Sequence, residues 1–166
     1  MDEIKIFKSQ YWASLEMFKE AVDKSPQALW NDPHYKNKFW HVAYHTLFYT
    51  DLYLSPTEKD FKPWHKHQDE SNFMGHLPWE GNREPKKCNP YSKEDILEYY
   101  PICYKKVAIE LDKINLNDDS GFHWVPLNKF ELQIYNIRHI QHHTAQLVER
   151  LRQTANIPTK WVGFVR

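Results

Sequence analysis

Ten histidines are spread along the 166 residues, and four of them fall at spacings with chemical meaning. His139 and His143 are four apart in Arg138-His139-Ile140-Gln141-His142-His143-Thr144-Ala145-Gln146-Leu147. On a helix, side chains at that separation stand one turn above each other on one face. Two imidazoles so placed can share one transition-metal ion, the geometry of helical His-x-x-x-His zinc sites. Ile140 follows His139 where a zinc protease carries its glutamate general base, which argues against peptide hydrolysis of that kind. At about 100° per residue the apolar face of this segment is centred near Ile140, Leu147 and Leu151. His143 then lies about 50° and His139 about 90° from that centre, while His142 falls on the polar side. A second pair, His41 and His45, is again one turn apart, and His45 lies near the middle of an aromatic-rich face. A lone inward histidine is ordinarily a core residue with hydrogen-bonded ring nitrogens. Two such pairs on facing helices are costly to bury without partners, and a shared metal satisfies them together.

Four stretches carry the helical period that would position these residues. Ile4, Phe7, Tyr11, Leu15, Phe18 and Val22 draw the first apolar stripe, which Ser25-Pro26 ends because the residue before proline is pushed out of the α region. The second runs from Tyr35 to Leu54, with His41, Val42, His45, Phe48, Tyr49 and Leu52 on its most consistent face. Residues 56–91 follow neither period and hold Pro56, Pro63, Pro78, Pro85 and Pro90 with Gly75 and Gly81. They read as an irregular crossover, packed down by Phe61, Trp64, Phe73, Leu77 and Trp79; so long a loop in a compact domain is often functional. The third stretch starts at an N-cap, Ser92, with Asp95 as capping-box partner. Its stripe is Leu97, Tyr100, Tyr104, Val107, Leu111 and Ile114, and Pro101 predicts a kink or break near its first turns. Asn115 to Gly121 is a turn-rich connection, and the fourth stretch spans Asn128 to Thr154 without Pro or Gly. The apolar tail Trp161-Val162-Gly163-Phe164-Val165 is expected to pack on the body. Four amphipathic helices, one long connection and no strand alternation predict an all-α four-helix bundle, a single domain over residues 1–166, with the crossover between its second and third helices.

Composition narrows the function classes. Lys+Arg and Asp+Glu both number 22, and a chain of zero formal charge lacks the basic surplus by which nucleic-acid binders neutralise phosphates. No apolar run approaches the roughly 20 residues that span a bilayer. An acidic opening without an apolar signal core and only two cysteines predict a cytosolic chain.

The motif His139-x-x-x-His143-x-x-Gln146-Leu147 and the second-helix run Ala43-Tyr44-His45-Thr46-Leu47-Phe48-Tyr49-x-Asp51-x-Tyr53-Leu54, with the long second connection, resemble the DinB/YfiT-like superfamily of metal-binding four-helix bundles. The resemblance spans most of the chain as architecture, though its motifs cover only the second and fourth helices. It implies a divalent ion, zinc or nickel, held by His45, His139 and His143. It further implies a small-molecule substrate, in some relatives a low-molecular-weight thiol used by a transferase in detoxification or stress response, and a homodimer. Other relatives are hydrolases, and the alternative is a non-catalytic protein that binds a divalent metal or small ligand on the same scaffold. No catalytic acid or base is assigned. Tyr49, one turn after His45, and Tyr135, one turn before His139, are candidates for handling a proton near the metal, or core tyrosines.

The remaining candidates read as structural. His65-Lys66-His67 and His76 form a solvated basic loop that could line a pocket mouth. Cys88 is a surface thiol whose pKa neighbouring lysines could depress, and Cys103 is an ordinary buried position. Trp40, Trp64, Trp79, Trp124 and Trp161 are expected to build core and interface.

Overall fold

The computed structural model describes residues 2–166, leaving only Met1 of the expected unit outside the described residues. It is all-helical: α1 (Glu3–Lys24), α2 (Gln27–Trp30), α3 (Phe39–Leu54), α4 (Lys93–Leu111) and α5 (Lys129–Ala155), with single 3-10 turns at Glu58–Asp60 and Pro78–Glu80. Among the described residues there is no strand, only two isolated bridges, Leu77 with Arg83 and Asp119 with Asn128. Each long helix packs chiefly against two others, α1 and α3 both meeting α4 and α5. Among the described residues no helix is long and apolar enough to cross a membrane.

Local chemistry sets the helix ends. Asp2 accepts the Lys5 amide at 3.1 Å and starts α1, and the Ser25 hydroxyl closes it on the Val22 carbonyl. The Ser92/Asp95 capping box begins α4 as its sequence predicts. An equivalent Asn128/Glu131 box begins α5, which ends at Asn156 in the left-handed conformation. Capping boxes satisfy two otherwise orphaned amides reciprocally.

Several expectations are corrected. The second helix begins at Phe39 rather than Tyr35, because residues 31–38 turn around Asp32 and Lys38, and the preceding chain forms the short α2. Trp30 on α2 is buried and donates its indole N–H to the Tyr91 carbonyl at 2.8 Å. Pro101 does not break α4, which runs unbroken through it; the ring is exposed and displaces no packed neighbour. The buried line of α4 passes through Ile96, Tyr99, Tyr100, Cys103, Val107 and Leu111, so Leu97 and Tyr104 stand at its flank. The tail does not bury its rings, for Trp161 is 76% and Phe164 59% exposed. It lies along α1 through polar contacts instead, from Gln10 to the Gly163 carbonyl and from the Lys160 amide to Glu20. Trp40 and Trp64 are buried, but Trp79 and Trp124 face solvent.

Helix α3 is the most enclosed. Every residue of it is buried except His41, His45 and Tyr49, a row at four-residue steps. Thr46 and Thr50 bury their hydroxyls by bonding to the carbonyls one turn back. Near its C-terminus the buried Asp51 accepts the Tyr99 hydroxyl at 2.7 Å and the Lys106 ammonium at 2.5 Å, and Lys106 also donates to the Asp51 carbonyl and to Ser55. This knot fastens α3 to α4. Breaking a buried ion pair from one side leaves the other charge uncompensated. Asp51→Ala is therefore expected to lower unfolding free energy by about 3 kcal/mol, with part of the loss recovered in Asp51→Ala/Lys106→Met. Denaturant titration of the single and double variants measures both.

Candidate metal centre

The α5 face seen from the core runs through Leu132, Gln133, Asn136, Ile140, His143, Thr144, Leu147 and Leu151. His143 is thus buried, His139 half-buried at the edge and His142 exposed, as the helical angles predict. His45 on α3 faces the same point. One nitrogen from each of His45, His139 and His143 lies within 4.8 Å of the other two. Ring centroids are 5.0 Å apart for His45 and His139, 4.6 Å for His45 and His143, and 4.5 Å for His139 and His143.

Hydrogen bonds decide which nitrogens are free. The Nδ1 of His45 is 2.7 Å from the Asn72 carbonyl oxygen. A carbonyl only accepts, so Nδ1 carries the proton and Nε2 presents its lone pair. His143 behaves alike: Nδ1–H donates to Gln146 Oε1 at 2.9 Å, and the Gln146 amide donates to His142 Nε2 at 3.3 Å. His41 is oriented the other way, its Nε2–H donating to the Ser71 carbonyl at 3.0 Å. That separates His41 from the trio.

The remaining geometry suits a shared ion. His45 Nε2 and His139 Nε2 are 3.1 Å apart. Two nitrogens bound about 2.0–2.1 Å from one zinc-like ion lie roughly 3.1–3.4 Å from each other. His139 Nδ1 is buried without a partner. If His139 donates from Nε2 to His45, its Nδ1 lone pair is orphaned; if it is protonated on Nδ1, two Nε2 lone pairs face each other. A cation between those lone pairs converts the repulsion into coordination. These three residues could hold a metal ion, and the donor set is three imidazoles without carboxylate or thiolate.

Electrostatics keep the rings neutral, the form a metal needs. Burial, then the neighbouring His139 and His143, push the His45 pKa well below its ordinary value. Burial, with His143 and His142 nearby, takes His139 down to about 3. His143 is lowered by burial, partly opposed by its bond to Gln146.

Around the trio, Tyr49 packs its ring 4.6 Å from His45 and 5.5 Å from His139. Its hydroxyl accepts the Asn72 amide at 3.3 Å, and burial raises its pKa. Tyr135 is 40% exposed and meets Tyr53 edge-on, so it stands further out. The crossover supplies a wall here, with Ser71 and Asn72 both buried. His67 is not part of a solvated loop: it is half-buried and accepts the Tyr44 hydroxyl at 2.6 Å, while Lys66 pairs with Asp95 and Glu98. His65 and His76 remain exposed, near Glu98 and Glu84. Cys88 is half-buried, and that burial raises its pKa rather than the lysines lowering it. Cys103 is buried on α4, as expected. The residues missed were Asn72, acting through its carbonyl, and Gln146, whose amide position carried no assigned role. A carbonyl belongs to every residue and so leaves no mark on a sequence.

No family model matches the chain, and neither the curated proteins nor the solved structures provide a match.

The buried rings set an acid dependence for the metal-free protein. Unfolded imidazoles protonate near pH 6.5, whereas His139 in the fold resists protonation to about pH 3. Between those values the unfolded chain binds more protons, so stability falls as pH drops. His139→Gln is expected to shed a slope of up to about 1.4 kcal/mol per pH unit from that window. Equilibrium unfolding of both proteins at pH 7, 6, 5 and 4, with metal removed, measures the difference.

Proposed function

We propose that this chain is a metal-dependent transferase on a DinB-like four-helix bundle, using zinc or nickel and a low-molecular-weight thiol in detoxification or stress response. The observation that carries the reading is the convergence of His45, His139 and His143, two of them with Nδ1–H already committed to Asn72 and Gln146. Three neutral nitrogens favour Zn²⁺ or Ni²⁺ over Mg²⁺ and Ca²⁺, which prefer oxygen. When bound, such an ion supplies a Lewis acid with open positions that lowers the pKa of a bound water or thiol.

The protein's own residues have the remaining tasks. His45, His139 and His143 would hold the ion between α3 and α5. Asn72 and Gln146 fix two of the rings in one tautomer, as the outer partners of ligating histidines do. Tyr49 borders the rings and, with its proton held on by burial, could donate a hydrogen bond to a substrate atom but would not act as a base near neutrality. That feature favours a second reading, a non-catalytic protein binding a divalent metal or small ligand. A homodimer and a cytoplasmic setting belong to the leading reading.

Protein purified without an affinity tag should take up one Zn²⁺ or Ni²⁺ per chain. His143→Ala should weaken uptake by more than the roughly 10–100-fold that follows loss of a mere supporting partner. Calorimetric titration reads this directly. A panel of cellular thiols with an electrophilic acceptor then separates the readings. Turnover that disappears in His143→Ala supports the transferase, uptake without turnover supports the binding protein, and turnover unchanged in His143→Ala eliminates the metal's role.

A further inference from the structure

The crossover is fixed by contacts that lie outside the histidine trio. Glu70 has φ 62°, in the left-handed region that non-glycine residues seldom occupy. Two successive reversals pass through it, with the Ser71 amide donating to the Gln68 carbonyl at 3.0 Å and the Phe73 amide to the Glu70 carbonyl at 3.1 Å. The second reversal places Ser71 and Asn72 at its centre with their carbonyls toward α3. Those carbonyls receive His41 Nε2–H and His45 Nδ1–H.

The Glu70 side chain holds this unusual backbone in place. Both of its oxygens take Arg83, from Nη1 at 2.8 Å and Nη2 at 2.5 Å, and the Lys86 amide adds a bond of 2.8 Å. Arg83 is itself braced by Glu80, through Nε at 2.7 Å, and by its carbonyl, which accepts the Leu77 amide at 2.9 Å. A bidentate guanidinium–carboxylate pair fixes angle as well as distance. A parallel tie joins Gln68 to both backbone groups of Asn89.

We propose that the Glu70–Arg83 pair is a positioning clamp for the metal centre, setting the turn whose Asn72 carbonyl holds His45 in the tautomer and orientation that coordination requires. The inference rests on the metal reading above. Neither residue touches the trio, so the clamp acts wholly through residues 71–72. Without it, the left-handed Glu70 backbone can relax, the Asn72 carbonyl moves off His45 Nδ1, and the ring can exchange tautomers.

Two measurements on the full chain test this. Zn²⁺ affinity by competition titration is expected to weaken about tenfold in Glu70→Ala and in Arg83→Met, the lower end of the effect of lost outer partners. Glu70→Gln, whose single oxygen in place of Oε2 can still accept the Lys86 amide and Arg83 Nη1 but gives up the bond to Nη2, should recover part of it. Lys86→Ala, which leaves that amide in place and removes only an exposed ammonium 3.9 Å from Glu70, should stay close to wild type. The second measurement is nitrogen NMR of histidine-labelled, metal-free protein. Wild type should show His45 protonated on Nδ1 with a slowly exchanging ring N–H, and both clamp variants should lose that signal while remaining helical by circular dichroism. Wild-type affinity together with an intact His45 N–H signal in the variants overturns the clamp. If wild type binds no Zn²⁺, the metal reading fails, and the metal-free NMR comparison still decides whether Glu70–Arg83 positions His45.

Discussion

Three neutral imidazoles gathered in a water-poor interior constrain everything around them, because each ring must place one N–H and one lone pair. His45 and His143 place their N–H groups on Asn72 and Gln146, which leaves both Nε2 lone pairs free, and one nitrogen of each of the three rings lies within 4.8 Å of the other two. His139 brings a third ring and keeps Nδ1 unpartnered. Burial holds protons off all three, helped by neighbouring imidazoles. An arrangement this unfavourable to a bare protein is one that a cation would relieve, and the packed helices on either side hold the rings in place.

Helix α3 shows how that is done. It is enclosed on all sides but one, and the uncovered row carries His41, His45 and Tyr49. A rod packed this fully cannot rotate to move His45 away, since any turn would drive Phe39, Tyr44, Leu47 or Phe48 into solvent. The Asp51–Lys106–Tyr99 knot adds a directional tie to α4 at the other end. On the open row the crossover completes the enclosure, offering backbone carbonyls where an apolar wall would have left imidazole N–H groups unsatisfied.

Much of this was legible from residue order. The α1 stripe, the Ser92 and Asn128 starts, and the inward aim of His139 and His143 follow from a 3.6-residue period and from capping chemistry, both local properties. Where local reasoning failed, distant packing had intervened. Tyr35 sits outside the helix because α2 and the turns after it dock Trp30 beneath Tyr91. The α4 face is turned from its apparent stripe because Tyr99 and Cys103 meet α3. Apolar composition suggested a packed tail, yet Trp161 and Phe164 lie outside a core that is already full.

Residue order specified four amphipathic rods and put two histidines of the last on one face, because spacing along a helix converts directly into angle. The helical period alone left His41 and His45 as alternatives, and the family resemblance pointed to His45. Folding brings His45, not His41, together with His139 and His143. The reversal at residues 70–73 presents one carbonyl to His41 Nε2 and another to His45 Nδ1, giving the two rings opposite tautomers and only His45 a lone pair aimed across at α5. That choice depends on backbone groups about thirty residues away in the chain, which carry no side-chain signature and acquire their meaning only when the crossover folds onto the helix.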